Sequence, residues 1–135
     1  MTAVSDRTLM NEALKMRSFS YVPYSGFAVG AALLCEDGSV YTGCNIENAA
    51  YSPSICAERT AFAKAVSEGE RSFKAIAVAG GPVSDPGLTP CPPCGVCRQV
   101  MQEFCDPQTF RVILADGDQL KVYRLCELFP AGFDL

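Results

Sequence analysis

The sequence predicts an α/β fold, a mixed sheet flanked by helices, and three observations lead there. Some segments carry apolar residues at three- and four-residue steps, while others run apolar without a break. Two Asp-Gly pairs, Asp37-Gly38 and Asp116-Gly117, stand between apolar runs and mark tight hairpins. The segments follow one another as α–β–β–α–β–α–β–β with a short tail, an order that one sheet with helices packed against it accommodates. At 135 residues the chain suits a single domain, residues 1–135.

Each element has a local reason. Ser5 is a candidate cap for a first helix with Leu9, Ala13 and Met16 on one face, and that helix must end before Pro23. Ala28 to Cys35 reads as a buried strand, Glu36-Asp37-Gly38-Ser39 as its turn, and Val40 to Cys44 as the returning strand. Ser52-Pro53-Ser54 offers a cap and a first-turn proline for a second helix running to about Ser67, stopped by Gly69. Phe73 to Ala79 is a third strand, and Gly80 to Pro93 a loop rich in glycine and proline. A third helix runs from near Cys94 to Phe104. Arg111 to Ala115, the turn Asp116-Gly117-Asp118, and Leu120 to Leu125 close the chain with an antiparallel hairpin.

Composition excludes several function classes. Eleven basic against fifteen acidic residues leave a net charge of −4 with no basic run, which argues against nucleic acid as a partner. No apolar stretch reaches the ~18 residues of a membrane span. Met1 to Arg7 holds no signal-peptide segment and includes Asp6, so a cytoplasmic protein is expected. Histidine is absent, which removes Ser–His and Cys–His pairs and every imidazole metal ligand.

The eight cysteines are too few for a disulfide scaffold and are read as buried thiols plus metal ligands. Cys35, Cys44, Cys105 and Cys126 stand alone in apolar surroundings and are expected in the core. Cys94-Gly95-Val96-Cys97 opens a helix and can close on one tetrahedral metal. Cys91-Pro92-Pro93-Cys94 has the same spacing, but its prolines have no N–H to give a thiolate, which favours Cys94 and Cys97. Cys56, placed in the first turn of the second helix, is the best third ligand, and Glu58 follows in the same turn. Three ligands leave a fourth position for water, and an unligated carboxylate beside it can serve as a general acid and base. Arg59 is close enough to hydrogen-bond the thiolates and offset their charge. Two other readings compete: a structural zinc site closed by Cys91 as fourth thiolate, and a dithiol redox pair formed by Cys94 and Cys97.

Cys56-Ala57-Glu58-Arg59 followed by Pro93-Cys94-Gly95-Val96-Cys97-Arg98-Gln99 resembles the small tetrameric cytidine deaminases of pyrimidine salvage. Tyr24 to Ala31, Gly43 to Asn48 and Glu127 to Phe133 are similar to that family's substrate and C-terminal segments, in the family's order. The resemblance implies a three-layer α-β-α sandwich built on a mixed five-stranded sheet whose last two strands are antiparallel. It implies hydrolytic deamination of cytidine and 2'-deoxycytidine, with one Zn2+ per subunit held by Cys56, Cys94 and Cys97. Glu58 would shuttle protons between the attacking water, N3 of cytosine and the departing ammonia. The Ala57 N–H would meet the base O2, Phe27 the pyrimidine face, and Asn45 and Glu47 the ribose 3'-hydroxyl. Tyr51 and Phe133 would be lent by neighbouring subunits of a homotetramer. A member of the wider superfamily acting on nucleic acid or on a nucleoside antibiotic is the third competing reading, and the net charge weakens its nucleic-acid form.

Overall fold

The structure, a computed structural model, describes residues 3–135. Helix α1 (Asp6–Met16) begins at the expected cap: the Ser5 hydroxyl accepts from Thr8 N at 3.1 Å, satisfying a first-turn N–H that has no helical partner. A 3₁₀ turn, Arg17–Phe19, leads toward strand β1 (Phe27–Cys35). Asp37 takes the N–H and hydroxyl of Ser39 and Gly38 adopts φ +91°, so the chain reverses into β2 (Val40–Cys44). Then come α2 (Ala57–Ser67), β3 (Phe73–Pro82), α3 (Gly95–Phe104), β4 (Arg111–Asp116), β5 (Gln119–Arg124) and a single turn, α4 (Leu125–Leu128).

The five strands lie in the order β2-β1-β3-β4-β5. β1 is antiparallel to both β2 and β3, β3 and β4 are parallel, and β4 and β5 close antiparallel as the Asp116-Gly117-Asp118 turn requires. Side chains alternate across the sheet. One face puts Ala32, Leu34, Ala75, Ala77, Ala79, Ile113 and Ala115 beneath Leu9, Met10 and Ala13 of α1. The other puts Leu33, Ile76, Val78, Val112 and Leu114 beneath Ala61, Phe62 and Ala65 of α2 and Met101 of α3. The result is a three-layer α-β-α sandwich with a mixed sheet. Phe62 anchors the second face, with ring centroids 5.1 Å from Phe73, 6.1 Å from Phe104 and 6.2 Å from Phe110.

Several boundaries differ from the sequence expectation, three of them for a visible local cause. Helix α2 starts at Ala57, not at Ser52-Pro53-Ser54. Ile55 and Ile46 exchange two backbone hydrogen bonds at 3.0 Å, which holds that segment extended, and the Ser54 hydroxyl accepts from Asn48 N instead of capping a helix. Strand β3 runs past Ala79 to Pro82, because β1 offers it partners as far as Phe27. The last strand ends at Arg124, where the Glu127 carboxylate accepts the Arg124 N–H at 2.7 Å and starts α4. Of the isolated cysteines, Cys35, Cys44 and Cys105 are buried and Cys126 is half-buried.

Gly43 sets the depth of α2. A Cβ there would sit 2.4 Å from the Ala57 carbonyl oxygen, so only glycine lets β2 touch the first turn of the helix. That contact brings the N-terminus of α2 up to the mouth of β1, beside the N-terminus of α3.

Candidate active site

Two helix N-termini meet where β1 opens and β3 ends. Cys56 is the N-cap of α2 and Cys94 the N-cap of α3, and neither side chain is spent on a capping hydrogen bond. Cys56 therefore lies one position ahead of the first turn in which the sequence reading set it. Cys97, 1% exposed, is the third residue of α3. The three Sγ atoms lie within 4.8 Å of one another, with Cys56 and Cys94 at 3.8 Å. Zinc–sulfur bonds of about 2.3 Å in a tetrahedron put sulfurs roughly 3.8 Å apart, so the donor set fits the ion that the family motif implies.

Charge supports the same arrangement. Cys56 is drawn down to about 5, first by the Cys97 thiol that donates to it and then by Arg59, whose Nη2 lies 3.7 Å from Cys56 Sγ. Cys97 is pushed up by that same hydrogen bond and by burial. A metal binds the thiolate form, so a thiol whose charged form is favoured, as at Cys56, suits a ligand. Arg59 Nε is buried without a partner among the described residues.

Glu58 faces a cavity of about 170 Å³ that is also lined by Val29, Asn45, Cys56, Ala57, Cys91, Pro92 and Cys94. The carboxyl is 4% exposed. Burial pushes it up to about 7, and the nearby Cys56 charge adds to the rise. The Ala57 N–H, at the first helical position, has no acceptor within α2 and borders the same space. A larger cavity of about 490 Å³ lies at the opposite end of the sheet, around Leu34, Lys74 and Arg111. Volume does not choose between them; the converging sulfurs and the buried acid do.

The remaining candidate residues fall around this centre. Asn45 lines the cavity, but its Oδ1 accepts from Val29 N and its Nδ2 donates to the Phe27 carbonyl, both at 2.9 Å. Phe27, 40% exposed, borders an adjoining hollow of about 290 Å³ with Gly81 and Pro90. Glu47 accepts the Tyr24 and Ser25 N–H groups at 3.0 and 3.1 Å and the Ser25 hydroxyl, which holds it below the usual carboxylate range. It shares a third hollow with Tyr51, which is 91% exposed. Phe133 lies in the tail, 64% exposed, its carbonyl accepting from Gln99 Nε2 at 3.1 Å. One chain thus brings Cys56, Cys94, Cys97, Glu58, Ala57 and Asn45 around a single cavity and leaves Tyr51 and Phe133 largely uncovered. Cys91 lines the cavity yet stands outside the three-sulfur set, and burial pushes its thiol up to about 11.

A three-layer sandwich that aims two helix N-termini and an unligated buried acid at one cavity defines a zinc-dependent hydrolase of the deaminase class. The family model for the cytidine and deoxycytidylate deaminase zinc-binding region matches residues 3–113, and the chain belongs to that family. A cytidine deaminase of Sporosarcina psychrophila is 61% identical over 128 residues, 93% of this chain and 88% of that protein. One of Halalkalibacterium halodurans is 52% identical over 127 residues, 93% and 91% of the two chains. The crystal structure of cytidine deaminase from Burkholderia pseudomallei matches with a TM-score of 0.86 at 42% identity, covering 96% of this chain and 99% of that one.

Proposed function

We propose that the chain, as one catalytic domain over residues 1–135, hydrolyses cytidine and 2'-deoxycytidine to uridine and 2'-deoxyuridine with release of ammonia. The observation that carries this is Glu58: a buried, unligated carboxyl poised near 7 in the cavity that the three cysteines border. Cys56, Cys94 and Cys97 would hold zinc, which would supply the Lewis acidity that makes water reactive at neutral pH. Glu58 takes a proton from the attacking water and delivers it to N3 while the water oxygen bonds to C4. It then takes the proton of the new C4 hydroxyl and passes it to the exocyclic amine, the C4 carbonyl forms as the C4–N bond breaks, and ammonia leaves. A group whose pKa sits near the working pH can both accept and return the proton.

The Ala57 N–H donates to the base O2, and Phe27 covers the pyrimidine face. Asn45 and Glu47 read the ribose 3'-hydroxyl, each with hydrogen-bonding capacity left after its backbone contacts. Arg59 withdraws charge from Cys56 and so leaves the metal a stronger acid toward water. Tyr51 and Phe133 complete the pockets of neighbouring subunits in a homotetramer. Their exposure supports this, as does an apolar groove of about 390 Å³ formed by Ile55, Phe62, Val66, Val100 and Phe104. No helix among the described residues is long and apolar enough to cross a membrane. All eight cysteines are free, which supports a reducing, cytoplasmic setting.

Metal analysis of the purified protein, combined with the ultraviolet absorbance of cytidine, tests the reading. One zinc per chain and a steady loss of cytidine absorbance are expected. A metal-free protein, a zinc bound by four sulfurs, or unchanged cytidine would overturn it.

A further inference from the structure

Arg17 spends its side chain on backbone oxygens. The residue is half-buried in the turn after α1. Its Nε donates to the Ala28 carbonyl at 2.9 Å, its Nη1 to that of Asp85 at 2.9 Å, and its Nη2 to those of Gly81 and Pro82 at 3.0 Å each. No carboxylate among the described residues forms an ion pair with it. A guanidinium presents five N–H groups in a fixed planar fork, whereas a lysine ammonium is a point with three.

The four carbonyls mark the place where β1 opens and β3 ends. In the register Phe27 faces Pro82 and Ala28 faces Gly81, and Pro82 has no N–H to carry the ladder further. Beyond it runs a segment with prolines at 86, 90, 92 and 93, correspondingly short of backbone donors. Its other ties are sparse: Val83 N to the Gly26 carbonyl, Gly117 N to that of Leu88, and Arg98 Nε to that of Pro93. Gly87 lies on the guanidinium with φ +78°, and a Cβ there would stand 2.4 Å from Nη1. The loop is moulded onto this one side chain.

We propose that Arg17 is a positioning residue of the base pocket. By tying Ala28 to the Gly81–Asp85 segment it sets Phe27 and the loop carrying Cys91 and Pro92 around the pyrimidine, and so governs nucleoside affinity instead of the rate of proton transfer. The proposal rests on the nucleoside reading of the cavity. It acts through no contact with the sulfurs of the metal set or with Glu58, which lie at the N-terminal ends of α2 and α3.

Arg17→Lys and Gly87→Ala test it, the second by driving a methyl group into an intact guanidinium. Four quantities are compared with the parent: KM and kcat for cytidine, Kd for uridine by calorimetry, and zinc per chain. In both variants KM and the uridine Kd should rise about tenfold while kcat stays within about threefold, the pattern of lost uniform binding. Zinc should remain at the parent's level. KM and Kd within about twofold of the parent, or a kcat or zinc content that falls in step with them, would overturn the proposal. Should Arg17→Lys fail to fold, Gly87→Ala decides alone. A parent that neither binds uridine nor consumes cytidine sinks the functional reading; a parent that does both beside unchanged variants sinks only the role of Arg17.

Discussion

In the proposed reaction Glu58 meets two opposed demands, since burial disfavours its charge and deamination needs a base. Its carboxyl, held at about 7, answers both. Glu58→Gln keeps the shape of the side chain and removes the proton it exchanges. The variant should retain zinc and lose turnover by a factor of about 10²–10⁴, measured as kcat alongside metal content. Unaltered turnover would refute the assignment. The same shift predicts a pH dependence in the metal-free protein. The folded carboxyl binds its proton up to about 7 and the unfolded one only up to its ordinary value of 4.5. The native state therefore holds more protons between those values, and its stability falls as pH rises through that window and stays reduced above it. Replacement by glutamine removes this loss. In urea unfolding with a chelator present, the variant should match the parent at about pH 4 and exceed it by on the order of 2–3 kcal/mol at about pH 8. A gap that does not widen with pH would count against a carboxyl buried in this way.

The elements that deliver the cysteines divide into those with local causes and those without. Ser5 at α1, the Asp-Gly turns and the Cys-x-x-Cys opening of α3 each act within a few residues, and each was legible in the sequence. The start of α2 was not, because Ile46, far outside the helix, draws Ile55 into an extended pair and overrides the serines and proline ahead of it. The end of β3 and the grip of Arg17 escaped for the same reason. The carbonyls it binds lie 11, 64, 65 and 68 residues away, and no local pattern announces them. Cys91 shows the opposite case: proline chemistry alone set it apart from the candidate ligands, and its sulfur is not in the cluster that Cys56, Cys94 and Cys97 form. Cys91→Ser should accordingly keep both zinc and kcat, within about twofold, by metal analysis and steady-state kinetics. Loss of the metal would restore the four-thiolate reading. Beneath the two cysteine-bearing helices, Phe62 joins three other phenylalanines, and Phe62→Ala should cost about 3–5 kcal/mol in urea unfolding. A cost under about 1 kcal/mol would mean that this cluster does not support the helices.

At the scale of the whole molecule, a pocket assembled from several chains predicts something that a self-contained one does not. Tyr51 and Phe133, at 91% and 64% exposure, are large aromatics left in the open on a single subunit. In the proposed homotetramer another copy covers them and removes the cost of that exposed apolar surface. If Phe133 serves a neighbour's cavity, Phe133→Ala damages sites on other chains and Glu58→Gln damages its own. Each homo-oligomer should then be impaired, the first less severely. When the two variants are mixed and allowed to exchange subunits, a site is intact wherever a chain with native Glu58 receives Phe133 from a chain carrying the glutamine. Random assortment makes that about one site in four in a closed symmetric assembly. Activity after mixing should therefore climb well above the sum of the separate preparations, while light scattering reports an unchanged mass. Activity that stays at that sum, in mixtures shown by mass spectrometry to contain hybrid oligomers, would mean that each chain closes its pocket by itself.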